Sequence, residues 1–437
     1  MKKLNQTGSH PRFKSVVGTA LILALALGFA ACSPDPASAP TTSDTAPVPS
    51  ATTPAPDGAL APAEYIDGEL ALDAVPEKYR QYYEGFEYFA KLFPDPYAGW
   101  TPPPAPWKFC LNDAFQGNDW RQQNLAELQR EVGVLKAAGL ASGDLVVTNA
   151  DNEVTLQLSQ FNNLVDEGCN VIISIPGSPT ALCEAFTAAK NKGVLVITDE
   201  APTYCPNSIN VSWNSYWAKT QGIDAVIQAA GGKGNFVAID GIAGAPTSIA
   251  GQAAVAAVMA KYPEAKLLGS VAGKWQPAVV KTEMTKFLAT HPQQVDGVFD
   301  SGAGAVAAEQ ALEGAGRPLA KVHSCEGSRS FLAYWKEHPE IATLSTNQSP
   351  ASAAYETMLI AAHKLSGHDL AVNTVFYPVP LMTAENFDDW YKPEYTLESS
   401  GTPTPPDGWA VEDSYFDGLF TSKIGKLAFT PDLPKAD

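Results

Sequence analysis

The chain has 437 residues, of which 29 are Lys or Arg and 47 are Asp or Glu, so its formal charge is −18. That length accommodates two cores plus tails, since single cores stop growing well below it. The acidic balance, with no Lys/Arg cluster beyond the first fourteen residues, excludes a phosphate-binding surface, and nucleic acid is not an expected partner.

At the N-terminus, Lys2, Lys3, Arg12 and Lys14 precede an apolar run from Val16 to Ala31, which reads as a secretory signal over residues 1–31. Its end, Leu27-Gly-Phe-Ala-Ala-Cys32, resembles a bacterial lipobox, with Phe29 at the place where Leu is usual. Lipidation at Cys32 and anchorage to the membrane, facing the periplasm or cell exterior, are expected. Residues 33–62 are almost wholly Pro, Ala, Ser, Thr and Asp, a composition that buries no core and behaves as an extended stalk. Residues 63–106 form an N-terminal extension in which Tyr79, Tyr82, Tyr83, Phe86, Tyr88 and Phe89 read as an amphipathic helix that docks on the body.

From residue 144 the chain alternates. Apolar runs at 144–148, 170–175 and 193–198 are separated by segments with helical spacing, Val154, Leu158, Phe161 and Val165 in the first and Leu182, Phe186 and Ala189 in the second. Strands apolar along their whole length and joined by helical crossovers belong in a parallel sheet covered on both faces. Ligands bind such sheets at the carboxyl ends of the strands, where Asp199 and Glu200 fall. After a short strand at 208–212 the pattern restarts: strands at 234–240, 266–271, 296–300 and 321–325 alternate with helices, among them 216–230, 249–261 and 305–314. Two α/β units in series follow. Gly241-Ile-Ala-Gly-Ala-Pro is a strand-to-helix turn without the spacing of a nucleotide-binding loop.

With Cys32 set aside, five cysteines remain, so at least one stays free. Cys110, Cys169 and Cys325 sit within or beside apolar strands and read as buried thiols. Cys183 and Cys205 flank one strand and are the candidate pair for a disulfide. No His/Cys spacing indicates a metal, and no cofactor is expected. The chain carries neither a G-x-S-x-G elbow nor an H-E-x-x-H helix. Only a carboxylate-pair glycosidase built on Asp199 and Glu326 survives as an enzymatic reading, and it is not the expected one.

Taken together, Leu195-Val-Ile-Thr-Asp199, Val237-Ala-Ile-Asp-Gly-Ile-Ala-Gly244, His291-Pro-Gln-Gln-Val-Asp-Gly-Val-Phe and Ala311-Leu-Glu-Gly-Ala-Gly-Arg317 resemble the type 1 periplasmic binding proteins, in particular the ribose/galactose-like group that serves sugar ABC transporters. The resemblance covers about residues 107–380. It implies two doubly wound parallel-sheet domains joined by a three-crossover hinge, the first from 107–213 plus 349–378 and the second from 214–348 plus 379–437, the latter including an aromatic-rich C-terminal extension. It implies a monomeric, non-enzymatic receptor that captures a small solute and delivers it to an ABC permease. A sensor that reports to a membrane kinase or chemoreceptor would use the same fold.

Carried over residue by residue, the resemblance places Asn118 and Trp120 after the first strand, Asp199 as the binding aspartate, Asn214 near the first crossover, Trp275 as a second stacking aromatic, Glu326 in place of an aspartate and Gln348 at a crossover. Glu200 replaces an arginine common beside the aspartate. Ile249 or a neighbour stands where a second arginine is common, and Gly302 or Ala303 where an asparagine is. Carboxylates and carboxamides engage pairs of hydroxyls, and flat aromatics cover the apolar faces of sugar rings, so a sugar or polyol is the favoured solute. Acidic groups without those arginines, beside Trp213 and Trp217, also suit a cationic or aromatic solute.

Overall fold

The computed structural model describes residues 61–406, 411, 413–422 and 425–435. The signal segment, Cys32, all but the last two residues of the stalk, and Trp409 of the C-terminal extension lie outside the described residues.

Two six-stranded sheets organise the chain. The first alternates β1 (Phe109–Asp113), α1 (Asp119–Ala137), β2 (Val146–Asn149), α2 (Val154–Asp166), β3 (Val171–Ile175), α3 (Cys183–Asn191), β4 (Leu195–Asp199) and β5 (Ile209–Trp213). The second takes α4 (Ser215–Ala229), β6 (Gly234–Asp240), α5 (Pro246–Met259), β7 (Ala265–Ala272), α6 (Pro277–Thr290), β8 (Gly297–Phe299), α7 (Ala305–Gly314), β9 (Lys321–Ser324), α8 (Arg329–Glu337) and β10 (Ala342–Thr346). The chain then returns to the first lobe through α9 (Pro350–Leu365) and β11 (Thr374–Tyr377), and goes back to the second with β12 (Leu381–Met382).

The orders are β11-β5-β4-β3-β1-β2 and β12-β10-β9-β8-β6-β7. Every pairing is parallel except β12 against β10. β1, β3, β4 and β5 are buried at every position, as a sheet covered by helices on both faces requires. In each sheet the strand order reverses beside the first strand of the unit, between β1 and β3 and between β6 and β8. A reversal of this kind opens a crevice at the carboxyl edge, because the neighbouring loops depart to opposite faces.

The N-terminal extension departs from the single amphipathic helix that its aromatic spacing suggests. It forms three short 3-10 turns, Leu72–Ala74, Glu77–Tyr83 and Phe86–Tyr88. Gly85 separates the last two with a left-handed φ of 65° and lies under the ring of Tyr216, where a Cβ would come within 2.2 Å of it. The aromatics still dock as a group. Tyr83 donates to the Thr374 carbonyl at 2.7 Å, Tyr97 donates to the Val194 carbonyl at 2.9 Å, and buried Lys364 meets Asp95 at 2.6 Å.

The C-terminal extension divides between the lobes, against the expectation that all of it packs on the second. Trp390 and Tyr395 join the cluster of Phe331, Tyr334 and Trp335 in the second lobe. Farther on, Leu370 and Phe420 form a β-bridge and Phe429 lies against Trp107 and Phe109, so residues 413–422 and 425–429 return to the first lobe. Tyr415 meets Tyr79 and Tyr82 of the second 3-10 turn edge-on, and Phe416, Leu419 and Phe420 are buried with Tyr79 in the first lobe's apolar cluster.

Two disulfides close the outer side of the first lobe. Cys183 bonds Cys205, and Cys110 bonds Cys169. The second pair corrects the reading of Cys110 and Cys169 as thiols. β1 and β3 are adjacent, which brings their Cα atoms to 6.1 Å, inside bridging range, although 59 residues separate them in sequence. Cys325 is free and buried. With Cys32 replaced by Ser, Ellman titration should therefore find no reactive thiol in the native protein and one after unfolding without reductant. Reducing either bridge should cost about 3–4 kcal/mol in the chain-entropy account, read as a lower unfolding midpoint.

Candidate functional site

The carboxyl edge of the first sheet concentrates charge where apolar strands end. Asp113 closes β1 and Asp199 closes β4, with Glu200 directly after it at a left-handed φ of 64°. Arg121, in the first turn of α1, donates to Asp113 Oδ1 and to Glu200 Oε2, each at 3.2 Å, and all three side chains are buried. One guanidinium thus holds the ends of two strands. Burial pushes the Asp113 carboxyl up to about 6, against the opposing pull of Arg121. Burial also raises Glu200, with Arg121 and Lys219 acting in the other direction.

Glu200 belongs to the first lobe and faces the second. Lys219 of α4, itself buried, donates to the Thr247 carbonyl at 2.6 Å, and the field of Glu200 opposes the burial that lowers the Lys219 pKa. Asp199 accepts from Asn124 Nδ2 at 2.8 Å, and burial pushes its carboxyl up to about 7.

The aromatic groups come from both lobes. Trp120 donates its indole N–H to the Gln348 carbonyl at 2.7 Å, meets Trp213 edge-on with centroids 5.7 Å apart, and has the Arg121 guanidinium 5.5 Å from its ring. Trp275 follows β7 with a φ of 55°, and its indole lies over two glycines at the carboxyl edge of the second sheet. A Cβ at Gly241 or Gly302 would come within 2.2 or 2.8 Å of that ring. At Gly302 or Ala303 the resemblance leads one to expect an asparagine, and a side chain at 302 would collide with the indole. Asn118 caps α1 by accepting from the Arg121 N–H and reaches the Trp275 carbonyl at 3.5 Å, a link between the lobes.

Glu326, just past β9, is buried, accepts from the Thr402 hydroxyl at 2.7 Å and is pushed up to about 7 by burial. Asp300, at the end of β8, accepts from the Gly302 and Gly304 N–H groups and also rises to about 7. The Gln348 amide nitrogen, the Trp213 indole nitrogen and the Ser248 hydroxyl are buried without a protein partner.

Of the eight residues singled out in sequence, Asn118, Trp120, Asp199, Glu200, Trp275, Glu326 and Gln348 lie along these facing edges. Asn214 does not. Its Oδ1 accepts from the Trp217 N–H to cap α4, and its Nδ2 donates to the carbonyls of Tyr82 and Glu84, so its carboxamide is spent on the N-terminal extension. Arg121, Lys219 and Asn124 went unnoticed in the sequence. Arg121 adjoins Trp120 on the helix that follows the first strand, and that adjacency was the available signal.

Residues 114–369 match the sequence pattern of the periplasmic binding protein domain. The chain belongs to the periplasmic binding protein family. A curated relative, the xylitol-binding protein of Mycolicibacterium smegmatis, is 29% identical over 250 residues, covering 56% of this chain and 70% of that protein. An ABC transporter solute-binding protein from Thermobispora bispora shares the fold with a TM-score of 0.64 and 23% identity over 75% of this chain and 99% of the other. A Mycobacterium smegmatis solute-binding protein crystallised with glycerol has a TM-score of 0.59 and 18% identity over 67% and 99% of the two chains. This binding protein therefore has the type 1 architecture of two parallel-sheet lobes, and its relatives are receptors rather than enzymes. Members of its family work outside the cytoplasm.

The buried carboxyls give the binding protein a specific pH response. A carboxyl whose folded pKa is raised holds its proton in the folded state after the unfolded chain has lost it, so stability is highest below about pH 4 for that group and falls as pH rises to its folded value. Asp199, Asp300 and Glu326, all near 7, act in this sense, whereas buried His323, lowered to about 3 by burial, acts in the opposite sense below 6.5. The carboxyls outnumber the histidine, so the unfolding midpoint should fall from pH 5 to pH 7.5. Asp199→Asn, which keeps an acceptor for Asn124, should flatten that slope; an unchanged slope would contradict the assignment.

Proposed function

We propose that this binding protein is an exported, lipid-anchored receptor that captures a sugar or polyol between its lobes and delivers it to an ABC permease. The observation that carries this reading is the hydrogen-bonding set at the facing edges. Asp113, Arg121, Glu200, Asp199 and Gln348 stand opposite Glu326 and Asp300, with Trp120 and Trp275 supplied by different lobes.

Two donors of the Arg121 fork are committed to carboxylates, and the rest of the fork is available to solute oxygens. Carboxyls held near neutrality both donate and accept, which matches a hydroxyl better than an ammonium group. The relatives agree in kind: one is a xylitol-binding protein, another was crystallised with glycerol, and a Caulobacter protein of the same fold was crystallised with myo-inositol. Asn118, Trp120, Asp199, Glu200, Trp275, Glu326 and Gln348 are assigned to solute contact. Closure takes place about the three crossovers near 213, 348 and 378, with lobes of 107–213 plus 349–378 and 214–348 plus the following segment. Cys32 and the Pro/Ala/Thr stalk supply the tether.

A thermal-shift panel of three- to six-carbon polyols, pentoses, hexoses, amines and small aromatics tests the reading. A solute at a hundred times its dissociation constant adds about 2.7 kcal/mol of stability, enough to move the midpoint by several degrees. Polyols or sugars should produce that shift, and Asp199→Ala and Trp120→Ala should each abolish it while remaining folded. A response confined to amines or aromatics would overturn the solute class.

A further inference from the structure

Beyond the 114–369 region shared with the family, the chain passes from exposed Ser400 into the interior between the lobes at residues 401–403. Gly401, Thr402 and Pro403 are buried, although they belong to no helix or strand. Three different parts of the protein hold them.

On the first lobe, Gln123 of α1 forms a reciprocal pair with Thr402: its Oε1 accepts from the Thr402 N–H at 2.9 Å, and its Nε2 donates to the Thr402 carbonyl at 3.3 Å. From the second lobe, the Arg329 N–H donates to the Gly401 carbonyl at 2.9 Å and the Arg329 side chain to the Ser400 carbonyl at 3.0 Å. At the crossover between β10 and α9, Asn347 Nδ2 donates to the Pro403 carbonyl at 2.9 Å. Gly401 has a φ of +78°, and a Cβ there would come within 2.7 Å of Gln123 Nε2 and 2.8 Å of Arg329 Nη1. The segment is therefore seated by backbone bonds on both sides of the cleft.

The Thr402 side chain reaches Glu326: its hydroxyl donates to Oε1 at 2.7 Å. Glu326 faces the start of α1, whose Asp119 lies close enough to influence it. A carboxylate assigned to the solute is thus partly taken by a residue of the chain itself.

We propose that residues 400–403 form a strap that bridges the lobes over the Glu326 end of the cleft, and that Thr402, by occupying Glu326, is a specificity-determining residue that limits how many hydroxyls a bound solute can place there. The selectivity part rests on the receptor reading given above; the bridging part does not. Opening the cleft requires the strap to leave either Gln123 or the set formed by Glu326 and Arg329.

The test uses the full chain with Thr402→Val, Thr402→Ser and Gln123→Ala, titrated calorimetrically with glycerol, erythritol, xylitol and myo-inositol. Thr402→Val frees Glu326, and the affinity ratio of the five- and six-carbon polyols to the shorter ones should rise by about tenfold, the scale of one hydrogen bond. Thr402→Ser keeps the donor and should match the wild type. Gln123→Ala should speed solute release without changing the ranking. Ratios and release rates equal to wild type in folded Thr402→Val and Gln123→Ala would overturn the proposal. If the wild type binds neither these polyols nor any sugar of the panel above, the receptor reading fails instead, and hydrogen exchange decides the strap. Protection of the Thr402 N–H that is lost in Gln123→Ala supports bridging; an unprotected Thr402 N–H in the wild type overturns it.

Discussion

The placement of Arg121 between Asp113 and Glu200 is the interaction on which the cleft depends. Each carboxylate ends a strand buried on both faces, and neither could remain ionised there alone. One guanidinium from the first turn of α1 serves both, which fixes the helix against β1 and β4 together. Trp120 is carried by the same turn, so its indole, its bond to the Gln348 carbonyl and its contact with Trp213 are set by the same anchor. Removing one member of such a buried group leaves an uncompensated charge, which costs far more than the intact group contributes.

The arrangement also accounts for a glutamate where the resemblance leads one to expect an arginine. Glu200 occupies that position, and a glutamate there would add to the negative field of Asp199. Arg121 offsets this by arriving from the neighbouring helix and pairing with Glu200 at 3.2 Å. Lys219 plays a comparable part from the second lobe, close to Glu200 and bonded to the Thr247 carbonyl. Among the described residues, buried Arg121 and Lys219 stand at the cleft amid several carboxyls, and burial drives Asp113, Asp199, Glu200, Asp300 and Glu326 toward neutrality.

Much of the architecture was legible because parallel strands advertise themselves. Val171–Ile175 is apolar at nearly every position and Leu195–Asp199 opens on three apolar residues, and the helical spacing between them leaves few alternatives. Asp199, Glu200 and Trp275 were legible for a related reason, since they lie where strands end. What stayed hidden depended on contacts between distant parts of the chain. Cys110 and Cys169 bridge only because β1 and β3 are neighbours in a sheet whose order differs from the sequence order. Asn214 has the residue type of a solute contact, but the Tyr82 and Glu84 carbonyls claim it first. The aromatic N-terminal segment has helical periodicity, yet Gly85 and the docking surface favour short turns.

Both disulfides lie in the first lobe, joining β1 to the approach of β3 and α3 to the loop after β4, whereas the one cysteine of the second lobe is a free thiol. The two jaws therefore differ mechanically. Covalent cross-links, the docked N-terminal turns and the returning C-terminal segment stiffen the first jaw from three directions. The second has no disulfide among its described residues and is the softer body. When such a pair closes, shape change concentrates in the compliant partner, so the first lobe acts as the fixed template and the second as the part that conforms to what is held.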